Sequence, residues 1–145
     1  ALEIMKNTDL DIALIAGRFT LLDQVAQHEL FPYALKNKID ISMGGVLNSG
    51  VLANPVAGAT YNYLPASDEI IARAAKIGAF LKERGVPLVA AALQFPHRHP
   101  AVTSVLTGPR NAAELRSNAE DFNRELPANI WSELEDAGLI EKIQA

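Results

Sequence analysis

The chain has 145 residues, 49% apolar and 21% charged, with nine Gly and eight Pro, a composition that excludes collagenous, low-complexity and disordered classes. Thirteen basic against seventeen acidic residues leave a net charge of −4 without a basic block, which argues against nucleic acid or an anionic membrane as the main partner. No cysteine is present, so disulfides, thiolate metal sites and cysteine nucleophiles are out, and the length suits one domain.

Residues 1–6 read like the middle of a helix and lack the basic and apolar regions of a signal peptide. No apolar run reaches the roughly 18 to 20 residues that span a bilayer, so the expected location is cytoplasmic. The run Ile12-Ala13-Leu14-Ile15-Ala16, residues 39–47 with Ile39, Ile41, Met43, Val46 and Leu47, and residues 102–106 are short and apolar without clean alternation. Such runs suit parallel strands covered on both faces.

Helical patterns lie between them. Residues 24–36 place Val25, Leu30, Tyr33 and Ala34 near one face. Residues 68–84 carry Ile70, Ala74, Ile77 and Leu81 at helical spacing, with Ser67 as N-cap and Gly85 as stop. A shorter helix covers 89–95. Another covers 111–122, with Asn111 as cap and Glu114 in capping-box register. A last one runs over 128–136 and holds Trp131 as a packing residue. The residues from 54 to 67 read as one long strand-to-helix loop, and loops of that length are more often functional than passive.

The order strand, helix, strand, helix, strand, helix predicts parallel pairing through helical crossovers. Three strands cannot close a barrel, and an open sheet leaves two unpaired edges. The expectation is therefore a segment of a larger (β/α) protein; the alternative is a small doubly wound domain.

In such proteins the active site lies at the carboxyl ends of the strands, which directs attention to three loops. The loop after the second strand, Gly44-Gly45-Val46-Leu47-Asn48-Ser49-Gly50, lets backbone approach a ligand and offers polar groups beside it. The loop Thr107-Gly108-Pro109-Arg110-Asn111 opens a helix, and Arg110 adds a forked cation beside its free amides, an arrangement suited to phosphate. An ordinary capping box with a solvated Arg is the competing reading. After the first strand, Arg18 either contacts a substrate oxygen or pairs with a carboxylate, and the ion pair is favoured because Arg is rarely buried alone. His97-Arg98-His99 supplies two metal ligands at most, so a solvated loop is expected there and no metal site. The chain has no nucleophile elbow, Walker loop or GxGxxG run.

Taken together, residues 16–23, residues 45–53 and Thr60-Tyr61-Asn62-Tyr63, followed by Val105-Leu106-Thr107-Gly108, Glu114-Leu115 and Asn118, resemble the aldo-keto reductase family. The branch they resemble is that of the L-fucose, D-threo-aldose and pyridoxal 4-dehydrogenases. The resemblance covers nearly the whole chain and implies the C-terminal part of a (β/α)8 TIM barrel, about three βα units plus a C-terminal helix. It implies NAD(P)-dependent oxidation, with a sugar oxidised at C1 to a lactone. The family's catalytic Asp, Tyr, Lys and His belong to earlier strands and have no counterpart here, so the segment carries the cofactor half of the site and is expected to be inactive alone. Its implied partners are a small sugar or other aldehyde or alcohol and the N-terminal half of the same barrel, with neither nucleic acid nor membrane.

Residue by residue, the resemblance assigns Gly45, Leu47, Asn48, Ser49 and Gly50 to the pyrophosphate. It assigns Thr107, Gly108, Pro109, Arg110, Glu114 and Asn118 to the adenosine end. Arg18 and Tyr61 are candidates for substrate contact, and Tyr61 and Tyr63 for covering the cofactor or for packing their own loop. Gly44 stands where many relatives carry a ring that stacks on the nicotinamide. Glu114 would repel a 2′-phosphate and accept from a ribose hydroxyl, so NAD is expected, with NADP possible because Arg110 offsets the repulsion. Two other functions remain open: a non-catalytic nucleotide-binding half-barrel or interaction module, and a (β/α) phosphosugar isomerase or aldolase.

Overall fold

A computed structural model describes residues 1–144. A short helix α1 (Leu2–Asn7) precedes strand β1 (Ile12–Ala16); helix α2 (Leu30–Asn37) then leads to strand β2 (Asp40–Gly44). Two two-residue strands, β3 (Thr60–Tyr61) and β4 (Leu64–Pro65), come before helices α3 (Asp68–Lys82) and α4 (Leu88–Gln94). Strand β5 (Val102–Val105) and helices α5 (Ala112–Phe122) and α6 (Ile130–Asp136) complete the order.

The three long strands form a parallel sheet in the order β1-β2-β5. β1 and β2 run in continuous register from Ile12 opposite Asp40 to Ala16 opposite Gly44. The ladder between β2 and β5 shifts at Ile41 and Ser42. Among the described residues both edges are unpaired, as the strand count requires.

One face of this sheet is covered and the other is open, contrary to the two-sided cover its apolar runs suggest. Ile15, Ile41 and Met43 are buried under helices, whereas Ile12 and Leu14 are 55% and 58% exposed. In a closed (β/α)8 barrel the inner face is filled by side chains from the other strands, so apolar residues on both faces suit a sheet of that kind.

Local signals explain most of the helices. Ser67 Oγ accepts from the Ile70 amide at 3.3 Å, and Asp68 and Glu69 lie in the positive first turn of α3 while Lys82 lies in its last. Ala74, Ile77 and Leu81 then fall on one buried stripe. Asn111 caps α5, its side-chain oxygen accepting from the Glu114 amide at 2.9 Å.

The stretch 24–36 begins its α-helix later than its periodicity suggests. Val25–Gln27 forms a 3-10 turn and the helix opens at Leu30. Pro32 is the cause: it has no amide to donate and is tolerated only in a first turn.

The core is aromatic at its centre. Phe19 packs on Phe31 and on Phe95, each with centroids 4.9 Å apart, and the His99 ring lies 4.6 Å from Phe31. That overturns the solvated-loop reading for His99, which is 1% exposed, whereas His97 is exposed as that reading expects. Its Nδ1 accepts from the Ala101 amide at 3.1 Å and its Nε2 lies 3.0 Å from the Gln144 carbonyl, so both ring nitrogens are used. Arg98 pairs with Glu135 at 2.7 Å and lies over Trp131. The segment fastens α6 and the chain beyond it to the core.

Candidate functional site

Because β1, β2 and β5 are parallel, Ala16, Gly44 and Val105 end on one side of the sheet. The loops leaving them surround a cavity of about 690 Å³. Every residue that the family resemblance assigns to the dinucleotide, in the 45–50 turn and from Thr107 to Asn118, lines this one cavity. The two turns thus stand side by side. Among the residues not singled out, Gly17, Asn62, Ser117 and Asp121 also line it.

The 45–50 turn is held in a sparsely populated conformation. Gly45 has φ +61°, and a Cβ there would stand 3.2 Å from the Gly17 amide nitrogen, so only glycine fits without displacement. Asn48 and Ser49 follow with φ of 46° and 59°. Non-glycine residues in this region cost on the order of 1–3 kcal/mol each and concentrate at functional sites. Asn48 N donates to Gly45 O at 2.9 Å, closing the turn.

Asn48 is also the least satisfied polar residue of the site. It is 2% exposed, yet its side-chain nitrogen and oxygen have no hydrogen-bond partner among the described residues. A buried polar group left unpaired costs about 1–3 kcal/mol, and the fold itself offers no return for it.

The long loop is not featureless. β3 and β4 form a hairpin whose two-residue tip, Asn62-Tyr63, has φ of 50° and 63°, the left-handed pair of a type I′ turn. The tip is tied to the 45–50 turn: the Tyr63 amide donates to Ser49 Oγ at 3.0 Å, and Thr60 Oγ1 donates to the Ser49 carbonyl at 2.5 Å. Asn62 and Tyr63 therefore reach the cavity, with Tyr63 91% exposed. The sequence signal was present in Thr60-Tyr61 and Leu64 flanking Asn62. A bulky Tyr at the second turn position, where Gly is usual, conceals it.

Tyr61, by contrast, does not line the cavity. It packs against the core, and burial, followed by the charge of Asp23, raises its phenol above the ordinary value. Arg18 is likewise set off from the cavity lining and forms an ion pair with Asp23 at 3.0 Å, the reading its surroundings favoured.

Also lining the cavity, Arg110 and Glu114 bind each other. The Arg110 amide and Nε each donate to the Glu114 carboxylate at 2.8 Å, and Nη2 joins them. The capping box is thus displaced by one residue, since the carboxylate reaches the amide before the cap. These hydrogen bonds lower the Glu114 carboxyl below its ordinary value and raise the Arg110 guanidinium. The pair presents an ionised carboxylate whose charge is partly cancelled at contact distance.

The family model described as Aldo/keto reductase family matches residues 1–138. The chain belongs to the aldo/keto reductase family. Among curated relatives of this aldo/keto reductase chain, pyridoxal 4-dehydrogenase of Microbacterium luteolum is 42% identical over 95% of the chain. D-threo-aldose 1-dehydrogenase of a Pseudomonas species is 41% identical over 94% of it. The chain spans 41% and 42% of the length of these two relatives. Of solved structures, a glycerol dehydrogenase from Gluconobacter oxydans superposes with a TM-score of 0.62 at 17% identity, over 92% of this chain and 44% of that one. Fold and family agree with a partial (β/α)8 barrel. No helix among the described residues is long and apolar enough to cross a membrane.

The cavity's residues fit a nicotinamide dinucleotide, the cofactor that this family implies. Two glycine-bearing loops line one cavity. Gly50 and Gly108 have nothing within 4 Å of a would-be Cβ, which leaves room for backbone contact. Asn48 supplies a buried amide with no partner among the described residues. Gly44 departs from the stacking pattern, and a Cβ there would already come within 3.3 Å of Leu14 Cδ1.

Proposed function

We propose that the whole protein carrying this chain is an NAD(P)-dependent oxidoreductase that oxidises a sugar at C1 to a lactone, and that this chain supplies the cofactor-binding part of its site. The observation that carries the reading is the shared cavity, where the 45–50 turn and the 107–118 segment face one space. Kinship with dehydrogenases of an aldose and of pyridoxal supports an aldehyde or hemiacetal substrate. It also favours oxidation over the isomerase or aldolase alternative.

When bound, the nicotinamide supplies the hydride acceptor. The chain's own residues hold and orient it. Gly45 and Gly50 admit the diphosphate close to backbone, with the hydroxyl of Ser49 and the backbone of Leu47 and Asn48 beside it. Thr107 and Gly108 flank the adenosine, and Asn118 offers the adenine both a donor and an acceptor. Glu114 accepts from a ribose 2′-hydroxyl and disfavours a 2′-phosphate, so NAD is the preferred cofactor, with Arg110 moderating the difference. Oxidation removes a hydride from the anomeric C–H and a proton from the anomeric O–H. The proton acceptor lies in the part of the barrel that precedes this chain, so the chain alone binds without turnover.

Calorimetric titration of the full-length protein with NAD and NADP, together with turnover of a panel of aldoses, tests the proposal. Saturable binding at one site per chain and lactone formation with NAD support it. Lactone-free turnover, or no binding of either nucleotide, overturns it.

A further inference from the structure

Three polar atoms converge on the space above Gly17, at the carboxyl end of β1. A Cβ built on Gly17 would stand 3.7 Å from Asn48 Nδ2, 4.0 Å from Asn62 Oδ1 and 4.0 Å from the Gly45 carbonyl oxygen. Gly17 has φ +66°, so a side chain there is disfavoured on conformational grounds as well, and the space stays open. It belongs to the cavity, which Gly17, Asn48 and Asn62 all line.

The turn accounts for Asn62 as a residue that tolerates the left-handed tip, but the fold gives the Asn48 amide no role. Asn48 is buried with both side-chain polar atoms unpartnered. Asn62 sits at a strained hairpin tip that Ser49 holds over the cavity. We propose that the amides of Asn48 and Asn62, facing each other across Gly17, form a subsite for the hydroxyl groups of a sugar ring. A hydroxyl there accepts from one amide NH₂ and donates to the other amide's oxygen or to the Gly45 carbonyl. A vicinal diol uses both amides at once, whichever way each is turned. An amide pair carries no net charge, so it suits a neutral polyol better than a phosphate or carboxylate.

This subsite deepens the dinucleotide reading and rests on it for one of its two sources of ligand. The sugar ring is either the ribose on the nicotinamide side of the cofactor or the aldose substrate itself. Glycine replacements are the sharp probes, because Asn48 and Asn62 have φ of 46° and 50° and glycine keeps both turns intact.

The full-length protein and its Asn48→Gly and Asn62→Gly variants are titrated with ADP, ADP-ribose, NAD and an aldose beside its deoxy analogues, and their thermal midpoints are recorded. If the cofactor ribose occupies the subsite, each variant weakens ADP-ribose and NAD about ten-fold (about 1.4 kcal/mol) and leaves ADP unchanged. If the substrate does, aldose affinity falls by a similar factor and discrimination against the deoxy analogue is lost. In both cases the Asn48→Gly midpoint stays level or rises. Aldose binding weakened by the variants in a protein that ignores NAD keeps the subsite and discards the dinucleotide reading. Unchanged affinities in both variants overturn the subsite while wild-type NAD binding keeps that reading. Binding of neither ligand class by the wild type overturns both. A lowered midpoint with equal loss for every ligand, ADP included, assigns the amides to folding and also overturns the subsite.

Discussion

Gly45→Ala isolates the backbone requirement of the turn on which the account turns. Two effects add. The residue has φ +61°, and a left-handed conformation costs an alanine roughly 1–2 kcal/mol relative to its preferred regions. The new methyl would also stand 3.2 Å from the Gly17 amide nitrogen, which itself donates to the Gly44 carbonyl at 2.9 Å. That contact is with backbone just past the end of β1, tied to β2 by this hydrogen bond, and cannot yield as a flexible side chain would. The expected loss is about 2 kcal/mol, read as a lower urea midpoint at unchanged slope. Displacement of the turn also weakens dinucleotide binding about ten-fold. Gly108→Ala is the control: nothing lies within 4 Å of its Cβ and its φ is ordinary, so its midpoint stays within about 0.5 kcal/mol. Equal midpoints for the two variants would refute the reasoning.

Further expectations concern charge and core. Burial lowers the His99 imidazolium pKa below its ordinary value; the neutral form is favoured in the fold, so its stability contribution is full above about pH 6.5 and falls as acid protonates the unfolded chain first. Urea midpoints between pH 7 and 5 should fall less steeply in His99→Asn, whose side-chain oxygen still accepts from the Ala101 amide; parallel slopes would contradict this. Glu114→Gln removes the carboxylate that occupies Arg110 and should tighten NADP relative to NAD by about ten-fold, an effect that fades with added salt; an unchanged ratio in fluorescence titrations counts against the adenosine assignment. Phe95→Ala, at a fully buried ring packed on Phe19, should lose about 3–5 kcal/mol in denaturant titration, and a loss below about 1 kcal/mol would show that the aromatic cluster is not the centre of the core.

The strands, the α3 and α5 caps and the position of both cavity loops were legible because each rests on local chemistry. Ser67 and Asn111 announce helix starts, Gly85 a stop, and parallel strands send their loops to one side. What escaped was non-local or unusual. The buried place of His99 depends on Phe19 and Phe31, far away in sequence. The β3–β4 hairpin lacks the glycine that marks such turns, and its ties to Ser49 are tertiary. The late start of α2 was readable from Pro32 but was outweighed by apolar periodicity. In the site, residue types suggested which groups meet a ligand. Only the fold shows that Asn48 is buried without a partner and that Arg110 already holds Glu114.

Hydrogen–deuterium exchange of the full-length protein, with and without saturating NAD, tests the central claim most directly. Amides in the 45–50 turn and in residues 107–118 are expected to become protected together, at the same nucleotide concentration. Protection of one segment alone, or of neither, would contradict it.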